Sequence, residues 1–309
     1  MLKFSGIWVP LVTPFDAQDQ VDLPALRRLV AHLVDQGVAG FVACGSTGEA
    51  AMLDEAEQAA VLQATIAAAA DRPVLMGLSG VRPERVAARA RQLAAAFPLA
   101  GFLLSPPAYV RPSQAGLLAW YRAVADASPV PIVAYDVPSR TGVRIAADTL
   151  LALAAHPRIV ALKDCSGDAD AALRLLVDGR LALLAGNDDE IFRQLTAGAV
   201  GAIAASAHLR PDLFVRLHRL VAQQQLTAAQ TLWRSLQPLC EALFAEPNPM
   251  PVKTVLARQG WCLPAFRAPM HAAGEATRAR VLALLDRLAE DWPAEPAAAG
   301  LARAQAVAS

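Results

Sequence analysis

Lysine is rare in this sequence, which makes each of its lysines informative about chemistry. The chain has 28 basic residues, of which three are lysines, Lys3, Lys163 and Lys253, and the rest are arginines. Arginine supplies positive charge as well as lysine does, but only the lysine amine can act as a nucleophile. A lysine retained in this background is a candidate for chemistry that arginine cannot perform, although chance retention is the simpler explanation for any one of the three.

Lys163 has the position that nucleophilic chemistry requires. It lies in the apolar run 159–165, and the two-residue period of a strand places it on the same face as Ile159 and Ala161. Burial lowers the pKa of an ammonium group, and the neutral amine can form a Schiff base with a carbonyl substrate. The alternative is an ion pair with a carboxylate at the mouth of the strand. Asp164 is not that partner, because the next residue on a strand points to the opposite face.

Tyr135 is a second candidate for chemistry. It lies in the apolar run 132–137, on the same face as Val133 and Val137. A phenol close to an imine can carry protons to and from the intermediates of Schiff-base chemistry. Taken alone, Tyr135 is better explained as an ordinary buried tyrosine, so its interpretation depends on its distance from Lys163.

Eight short apolar runs must position these side chains. Most are continuously hydrophobic, as strands covered on both faces are, and they occupy 7–13, 38–44, 74–78, 102–105, 132–137, 159–165, 181–185 and 200–205. Amphipathic helical patterns lie between them, and Asp54 with Glu57 predicts a capping box at the start of one of these helices. The alternation predicts an α/β fold, a (β/α)8 TIM barrel. A doubly wound sheet is the alternative, but its glycine-rich dinucleotide turn is missing after the first run.

The sequence after the eighth run exceeds what a barrel needs. Helical patterns continue over 211–224, 227–244, 251–259 and 275–290, and Thr227 with Gln230 predicts a capping box for the second of them. We therefore predict a catalytic barrel over 1–225 and a small layer of C-terminal helices over 226–291. The segment 292–309 is rich in alanine and proline and has little to bury, which predicts a disordered tail.

Several polar side chains follow the predicted strands. The active site of a barrel enzyme lies at the carboxyl ends of its strands, where this chain has the hydroxyl groups of Ser46, Thr47 and Tyr109. Arg140 follows the strand of Tyr135, and a guanidinium can hold a carboxylate through two hydrogen bonds. Gly186, after the seventh run, is a further candidate for substrate contact. The five histidines are scattered without metal-ligand spacing, so we expect no metal.

The overall composition excludes several classes of protein. The chain is 55% hydrophobic with a formal net charge of zero, which excludes a disordered chain and argues against nucleic-acid binding. The longest uncharged stretch is interrupted by prolines and does not predict a membrane-spanning helix. The N-terminus lacks the pattern of a secretory signal, and four cysteines do not form a disulfide framework in a chain of this length. We expect a cytoplasmic protein that acts on small molecules.

Five motifs in order resemble the dihydrodipicolinate synthase / N-acetylneuraminate lyase family, the pyruvate-dependent class I aldolase-type barrels. They lie at 45–49 (GSTGE), 111–114 (RPSQ), 135–142 (YDVPSRTG), 162–164 (LKD) and 246–253 (EPNPMPVK), and the resemblance covers nearly the whole chain. Within the family, PSRTG and EPNPMPVK are similar to the synthases rather than to the sialic acid lyases. The resemblance implies condensation of pyruvate with aspartate 4-semialdehyde, the first committed step towards diaminopimelate and lysine, with no metal or organic cofactor.

The resemblance also implies a role for each candidate residue. Lys163 matches the Schiff-base lysine and Tyr135 the general acid/base, while Ser46 and Tyr109 match a proton relay in which a neighbouring subunit supplies the tyrosine. It further implies pyruvate contacts from Thr47 and Ile203, a carboxylate site at Arg140, and a homo-oligomer, either a dimer or a tetramer. Lys253 is left with a structural role near the C-terminal helices.

Three departures from the family pattern keep alternatives open. Ser46 stands where the synthases usually have threonine, Ala108 where many have a second tyrosine, and Val81 where lysine-regulated members tend to have asparagine. We therefore expect weak or no feedback inhibition by lysine. A pyruvate aldolase or keto-acid dehydratase acting on sugar acids is the nearest alternative, and a non-catalytic ligand-binding barrel is the alternative from another class.

Overall fold

Eight parallel strands form a closed barrel in sequence order, with β8 hydrogen-bonded to β1. The computed structural model describes residues 4–293. The strands are β1 (Gly6–Pro10), β2 (Gly40–Ala43), β3 (Val74–Leu78), β4 (Gly101–Leu104), β5 (Ile132–Asp136), β6 (Ile159–Asp164), β7 (Ala182–Ala185) and β8 (Gly201–Ile203). The prediction of a (β/α)8 barrel is therefore confirmed.

Helices follow the strands and cover the outside of the barrel. They are α1 (Leu23–Asp35), α2 (Glu55–Ala68), α3 (Pro83–Ala96), α4 (Gln114–Ala127), the single turn α5 (Pro138–Thr141), α6 (Ala147–Leu153), α7 (Ala169–Asp178), α8 (Ile191–Ala197) and α9 (Pro211–Ala222). Short 3₁₀ turns lie at Ala50–Met52, Asp188–Glu190 and Ser206–His208. No helix among residues 4–293 is both long and apolar enough to cross a membrane.

The C-terminal helices form an additional layer, as predicted. They are α10 (Leu226–Leu243), α11 (Met250–Arg258) and α12 (Glu275–Asp291). Helix α10 packs against α8, α9 and α12, while α11 packs against α12. Trp292 is half-buried, and its carbonyl accepts a hydrogen bond from Arg210 at 2.8 Å. The rest of the predicted tail, 294–309, lies outside the described residues, and the division at residue 225 stays a prediction.

The sequence signals at helix starts have two different outcomes. The capping box of α2 is confirmed, because Asp54 Oδ1 accepts from the Glu57 amide at 2.8 Å and Glu57 Oε2 accepts from the Asp54 amide at 3.0 Å. The capping box predicted from Thr227 is wrong. Helix α10 begins one residue earlier, at Leu226, so Thr227 lies within its first turn and Gln225 takes the capping position without a side-chain bond.

Two apolar clusters lie on either side of the strands. The outer cluster fills the space between strands and helices, and the inner cluster fills the barrel with side chains that include Trp8, Val42, Leu75, Leu103 and Leu184. These side chains fill the interior of the barrel. The space that remains lies at the carboxyl ends of the strands, where Tyr135 and Lys163 line a cavity.

A β-bulge in β6 determines which residues face the interior. Ile132 pairs with Ile159, but Val133 pairs with Ala161, so one extra residue is inserted in β6. Ala161 belongs to the inner cluster, whereas Ile159 belongs to the outer one. The prediction that Ile159 shares a face with Lys163 is therefore wrong, since strict alternation does not allow for the inserted residue.

Glycine at position 201 is required where β8 meets β1. A Cβ atom added there would lie 2.1 Å from the Gly6 carbonyl oxygen, which is backbone and cannot move aside as a side-chain tip can. The substitution Gly201→Ala should destabilise the fold by about 1–3 kcal/mol or more through overpacking. Thermal unfolding followed by circular dichroism measures this loss.

Gly116→Ala is the matched control for this substitution. Gly116 lies in α4, and an added Cβ would meet its nearest atom at 3.4 Å, an ordinary contact. Alanine favours the helix over glycine by about 1 kcal/mol, so this variant should melt at or above the wild-type temperature. A Gly201→Ala variant that melts like the wild type would contradict the close approach of β1 and β8.

Candidate active site

A cavity of about 540 Å³ opens at the carboxyl ends of the strands. Seven of the eight predicted site residues line it, namely Ser46, Thr47, Tyr135, Arg140, Lys163, Gly186 and Ile203. A second cavity of about 630 Å³ adjoins it, sharing Ser46, Tyr135 and Arg140, and includes Val81 and Ala108 in its wall. The structure thus brings together side chains that are up to 157 positions apart in the sequence, from Ser46 to Ile203.

Lys163 and Tyr135 face each other across adjacent strands. The register of β5 and β6 pairs the two residues directly, and Lys163 Nζ lies 4.6 Å from the centre of the Tyr135 ring. Lys163 is 6% exposed. Burial lowers the pKa of Lys163, and although Cys165 and Asp188 oppose this effect, the Arg140 guanidinium adds to it. Within residues 4–293 no carboxylate forms an ion pair with Lys163, so the geometry favours a reactive amine over a structural ion pair.

Tyr135 keeps its proton in this environment. Burial is the main cause that raises the pKa of Tyr135 well above its usual value, and the neighbouring Cys165 thiol raises it further. Hydrogen bonding with the Ser46 side chain opposes this rise. A neutral phenol beside a hydroxyl and an amine can donate and accept protons in the cavity.

Ser46 and Thr47 lie on the loop that follows β2. Thr13 Oγ1 donates to the Gly48 carbonyl at 2.7 Å, and the Gly48 and Glu49 amides donate to the carbonyls of Gly45 and Ser46. These bonds keep the loop in a tight turn. Ser46 is half-buried and Thr47 is buried, so both hydroxyls lie at the wall of the cavity rather than in bulk solvent.

Asn248 is a site residue that the analysis of individual residues missed. Its Nδ2 donates to Thr47 Oγ1 at 2.8 Å, and its carbonyl accepts from Arg140 Nη2 at 3.0 Å. It therefore joins two candidate residues that lie on different strand ends. The available signal was its place in the EPNPMPVK motif, but only the folded chain brings that segment over the barrel.

Gly186 leaves the space that the Lys163 side chain occupies. A Cβ at position 186 would lie 2.5 Å from Cys165 Sγ and 2.9 Å from Lys163 Cγ.

Asp188, two residues later, is a further residue that the sequence analysis did not select. It is buried, it lines the cavity, and its Oδ2 accepts from the Ser206 amide at 2.6 Å. Burial raises the pKa of Asp188, and the nearby Lys163 ammonium opposes this rise.

Tyr109 lies apart from the other candidates in the single chain. Its side chain is 96% exposed, its φ is 73°, and it lines neither cavity. Its neighbour Ala108 does line the second cavity, so Tyr109 projects from the rim of the site.

Cys44, buried after β2, is a free thiol. Among the described residues no group of three or more His, Cys, Asp or Glu side chains could hold a metal ion.

Comparison with known proteins places the chain in a family. A model of the dihydrodipicolinate synthetase family matches residues 3–288. The chain is 35% identical over 291 residues to a 4-hydroxy-tetrahydrodipicolinate synthase of Cyanothece sp., covering 93% of this chain and 99% of that one. The chain belongs to the dihydrodipicolinate synthetase family. The resemblance inferred from the five motifs is therefore confirmed.

Solved structures of family members share the fold. The 4-hydroxy-tetrahydrodipicolinate synthase of Methylacidiphilum fumariolicum SolV is 30% identical and superposes with a TM-score of 0.89, covering 93% of this chain and 97% of that one. A structure described as the first monomeric dihydrodipicolinate synthase variant is 29% identical with a TM-score of 0.87, covering 92% of this chain and 96% of that one.

Asp136 is a buried carboxyl group directly behind the site. It ends β5, is 1% exposed, and its Oδ1 accepts from the Ile145 amide at 3.2 Å. Burial raises its pKa to about 7, against the opposing effect of that amide. Between about pH 4 and pH 7 the folded chain thus holds a proton that the unfolded chain releases, so stability falls as pH rises through this range.

The substitution Asp136→Asn should flatten this pH dependence. It removes the titrating group and keeps an acceptor for the Ile145 amide, so the fall in unfolding free energy between about pH 4 and pH 7 should shrink by up to ~4 kcal/mol. Urea unfolding at both ends of the range measures it, with exposed Asp170→Asn as the control. If the unfolding free energy of Asp136→Asn falls as much as that of the wild type over this range, Asp136 is not the cause of the pH dependence.

Proposed function

We propose that the protein is a 4-hydroxy-tetrahydrodipicolinate synthase, a lyase that condenses pyruvate with L-aspartate 4-semialdehyde in the diaminopimelate and lysine pathway of the cytoplasm. The observation that carries the proposal is the buried Lys163 amine facing Tyr135 in the cavity. Close relatives named for this activity support the choice of acceptor.

The first half of the reaction forms an enamine on Lys163. The neutral amine attacks the ketone of pyruvate, and a proton relay of Tyr135, Ser46 and Tyr109 protonates the hydroxyl that leaves as water. The resulting iminium ion withdraws electrons, so the methyl group of pyruvate loses a proton and the enamine forms. Lowering the pKa of Lys163 by burial matters here, because only the neutral amine attacks.

The second half joins the two substrates. The enamine carbon attacks the aldehyde of the second substrate, whose carboxylate Arg140 holds, and the aldehyde oxygen takes up a proton from the relay. The amino group of the new product then displaces Lys163 by transimination and closes the ring. Thr47, Ile203 and Gly186 bind the pyruvate portion, and the missing side chain at Gly186 leaves room for the Lys163 side chain that carries it.

Two alternative functions, a sugar-acid enzyme and a non-catalytic binding barrel, require different features of the site. An aldolase or dehydratase for sugar acids would keep the Lys163 enamine and change the acceptor, and Ser46 and Ala108 are mildly in its favour. Arg140 and the 246–249 segment argue against it, because they present a guanidinium at the cavity wall. A non-catalytic binding barrel would not need an unpaired lysine in the cavity.

The substitution Lys163→Arg should abolish turnover and keep the positive charge. A guanidinium cannot form the Schiff base, so the loss should exceed about a thousandfold. The measurement is a coupled assay with pyruvate and aspartate semialdehyde, followed through reduction of the cyclic product, with Lys3→Arg as the control for loss of a lysine. Full activity in Lys163→Arg would refute the Schiff base. No turnover in a wild-type protein that borohydride inactivates with pyruvate would move the acceptor to a sugar-acid aldehyde.

We propose that the active form is at least a dimer, with Tyr109 acting in the neighbouring subunit. Three exposed apolar side chains support such an interface, since Val81, Tyr109 and Val110 are 50%, 96% and 51% exposed. Val81 lines the second cavity, and Tyr109 and Val110 directly follow Ala108 in its wall. The rim position of Tyr109 beside the second cavity fits insertion into a site on another chain.

A subunit-mixing experiment tests this arrangement. Lys163→Arg subunits and Tyr109→Phe subunits should each be nearly inactive, and their hybrid should regain activity, because one site then combines intact Lys163 with intact Tyr109 from the other chain. Co-expression with two affinity tags isolates the hybrid, and light scattering gives its mass. A hybrid without regained activity, or a fully active wild-type monomer, would contradict the shared site.

A further inference from the structure

Glu49 and Lys253 form an ion pair with no exposure to solvent. Glu49 Oε1 accepts from Lys253 Nζ at 2.6 Å, and both side chains are 0% exposed. The ammonium also lies 4.1 Å from the Phe15 ring centre and 4.8 Å from that of Phe266. Replacing a buried ion pair by apolar groups is often neutral or stabilising, so stability alone is a weak reason for this pair.

The pair connects the loop that follows β2 to a C-terminal helix. Glu49 closes the loop that carries Ser46 and Thr47, whereas Lys253 lies in α11, which begins two residues after Asn248. The bond between Asn248 and Thr47 connects the same two segments at the cavity wall. The loop and α11 are thus joined twice, once at the cavity wall and once by a buried pair outside the cavity lining.

The backbone of the loop needs external support. Cys44 at its start and Glu49 at its end have φ values of 52° and 55°, a left-handed conformation that side chains other than glycine rarely adopt. Residues in such conformations persist when the surrounding structure over-determines them. At Glu49, the end of the loop, the ion pair with Lys253 from a distant part of the chain supports the strained backbone.

We infer that the Glu49–Lys253 pair is a positioning device that holds Ser46 and Thr47 in place for the reaction. This inference rests on the proposed function for its kinetic consequence. It also explains why this second lysine is retained in an arginine-rich chain. The slot between two phenylalanine rings holds a compact ammonium, and the next basic group, Arg267, already stacks on Phe15 at 4.5 Å.

The test replaces both charges by neutral groups of similar shape. The double variant Glu49→Gln/Lys253→Met removes both charges of the pair, so neither is left buried without its partner. Because methionine packs well against aromatic rings, the melting temperature should stay near the wild-type value. With the loop no longer held, kcat should fall about 10- to 100-fold and KM for pyruvate should rise. Amide hydrogen exchange in residues 45–49 should accelerate, while exchange in α10 stays unchanged.

Controls separate positioning from general stability. Leu236→Ala in α10, a fully buried position outside both cavities, should lower the melting temperature and leave kcat at 25 °C and the loop's exchange unchanged. A double variant with wild-type kcat and wild-type loop exchange overturns the inference. So does a loss of activity without faster exchange in the loop.

Two further measurements apply if the double variant does not fold or if the wild-type protein lacks the proposed activity. If the double variant does not fold, Glu49→Asp keeps both charges and shortens the link by one methylene; the same loss of kcat and faster loop exchange are expected, and wild-type values overturn the inference. If wild-type protein fails to react with pyruvate and borohydride, the proposed function fails, and hydrogen exchange in the loop still decides whether the pair positions it.

Discussion

The proposed reaction depends on keeping the amine of Lys163 away from water. The closed barrel does this by filling its interior up to the level of Lys163 with apolar side chains, so that the amine lies at the floor of a cavity rather than at a surface. Burial then favours the neutral form of the amine. The other features of the site follow from this constraint. Tyr135 reaches the buried amine because it lies directly opposite Lys163 on the adjacent strand. Position 186 must be a glycine because the Lys163 side chain occupies the neighbouring space.

Strained backbone lies at the same end of the barrel as the site. Non-glycine residues with positive φ occur in the loops after β2 and β4, at Cys44, Glu49, Tyr109 and Arg111. Each costs of order 1–3 kcal/mol unless its surroundings compensate. At Arg111 the compensation is visible, since its Nε donates to the Gly142 carbonyl at 2.8 Å. The barrel and its C-terminal helices supply similar support to the loop after β2 through Asn248 and Lys253.

Local sequence signals predicted the elements and failed where distant contacts decide the outcome. Continuous apolar runs located all eight strands, and Asp54 with Glu57 located the start of α2, because both depend on neighbouring residues. The bulge that turns Ile159 outward depends on pairing with β5 and has no local signal. Lys163 was selected as a candidate because lysine is rare and the run around it is apolar. Lys253 carried the same rarity, but its partner Glu49 lies 204 positions away, and Asn248 likewise gains its role only through contact with Thr47.

The proposed reaction requires a Schiff base between pyruvate and Lys163, and mapping the reduced adduct shows whether it forms. Wild-type protein is reduced with borohydride in the presence of pyruvate, digested with trypsin and examined by mass spectrometry. We expect one modified lysine, Lys163, with tryptic cleavage blocked after it and Lys253 unmodified in its buried ion pair. No adduct, or an adduct on a different amine, would show that Lys163 does not form the Schiff base.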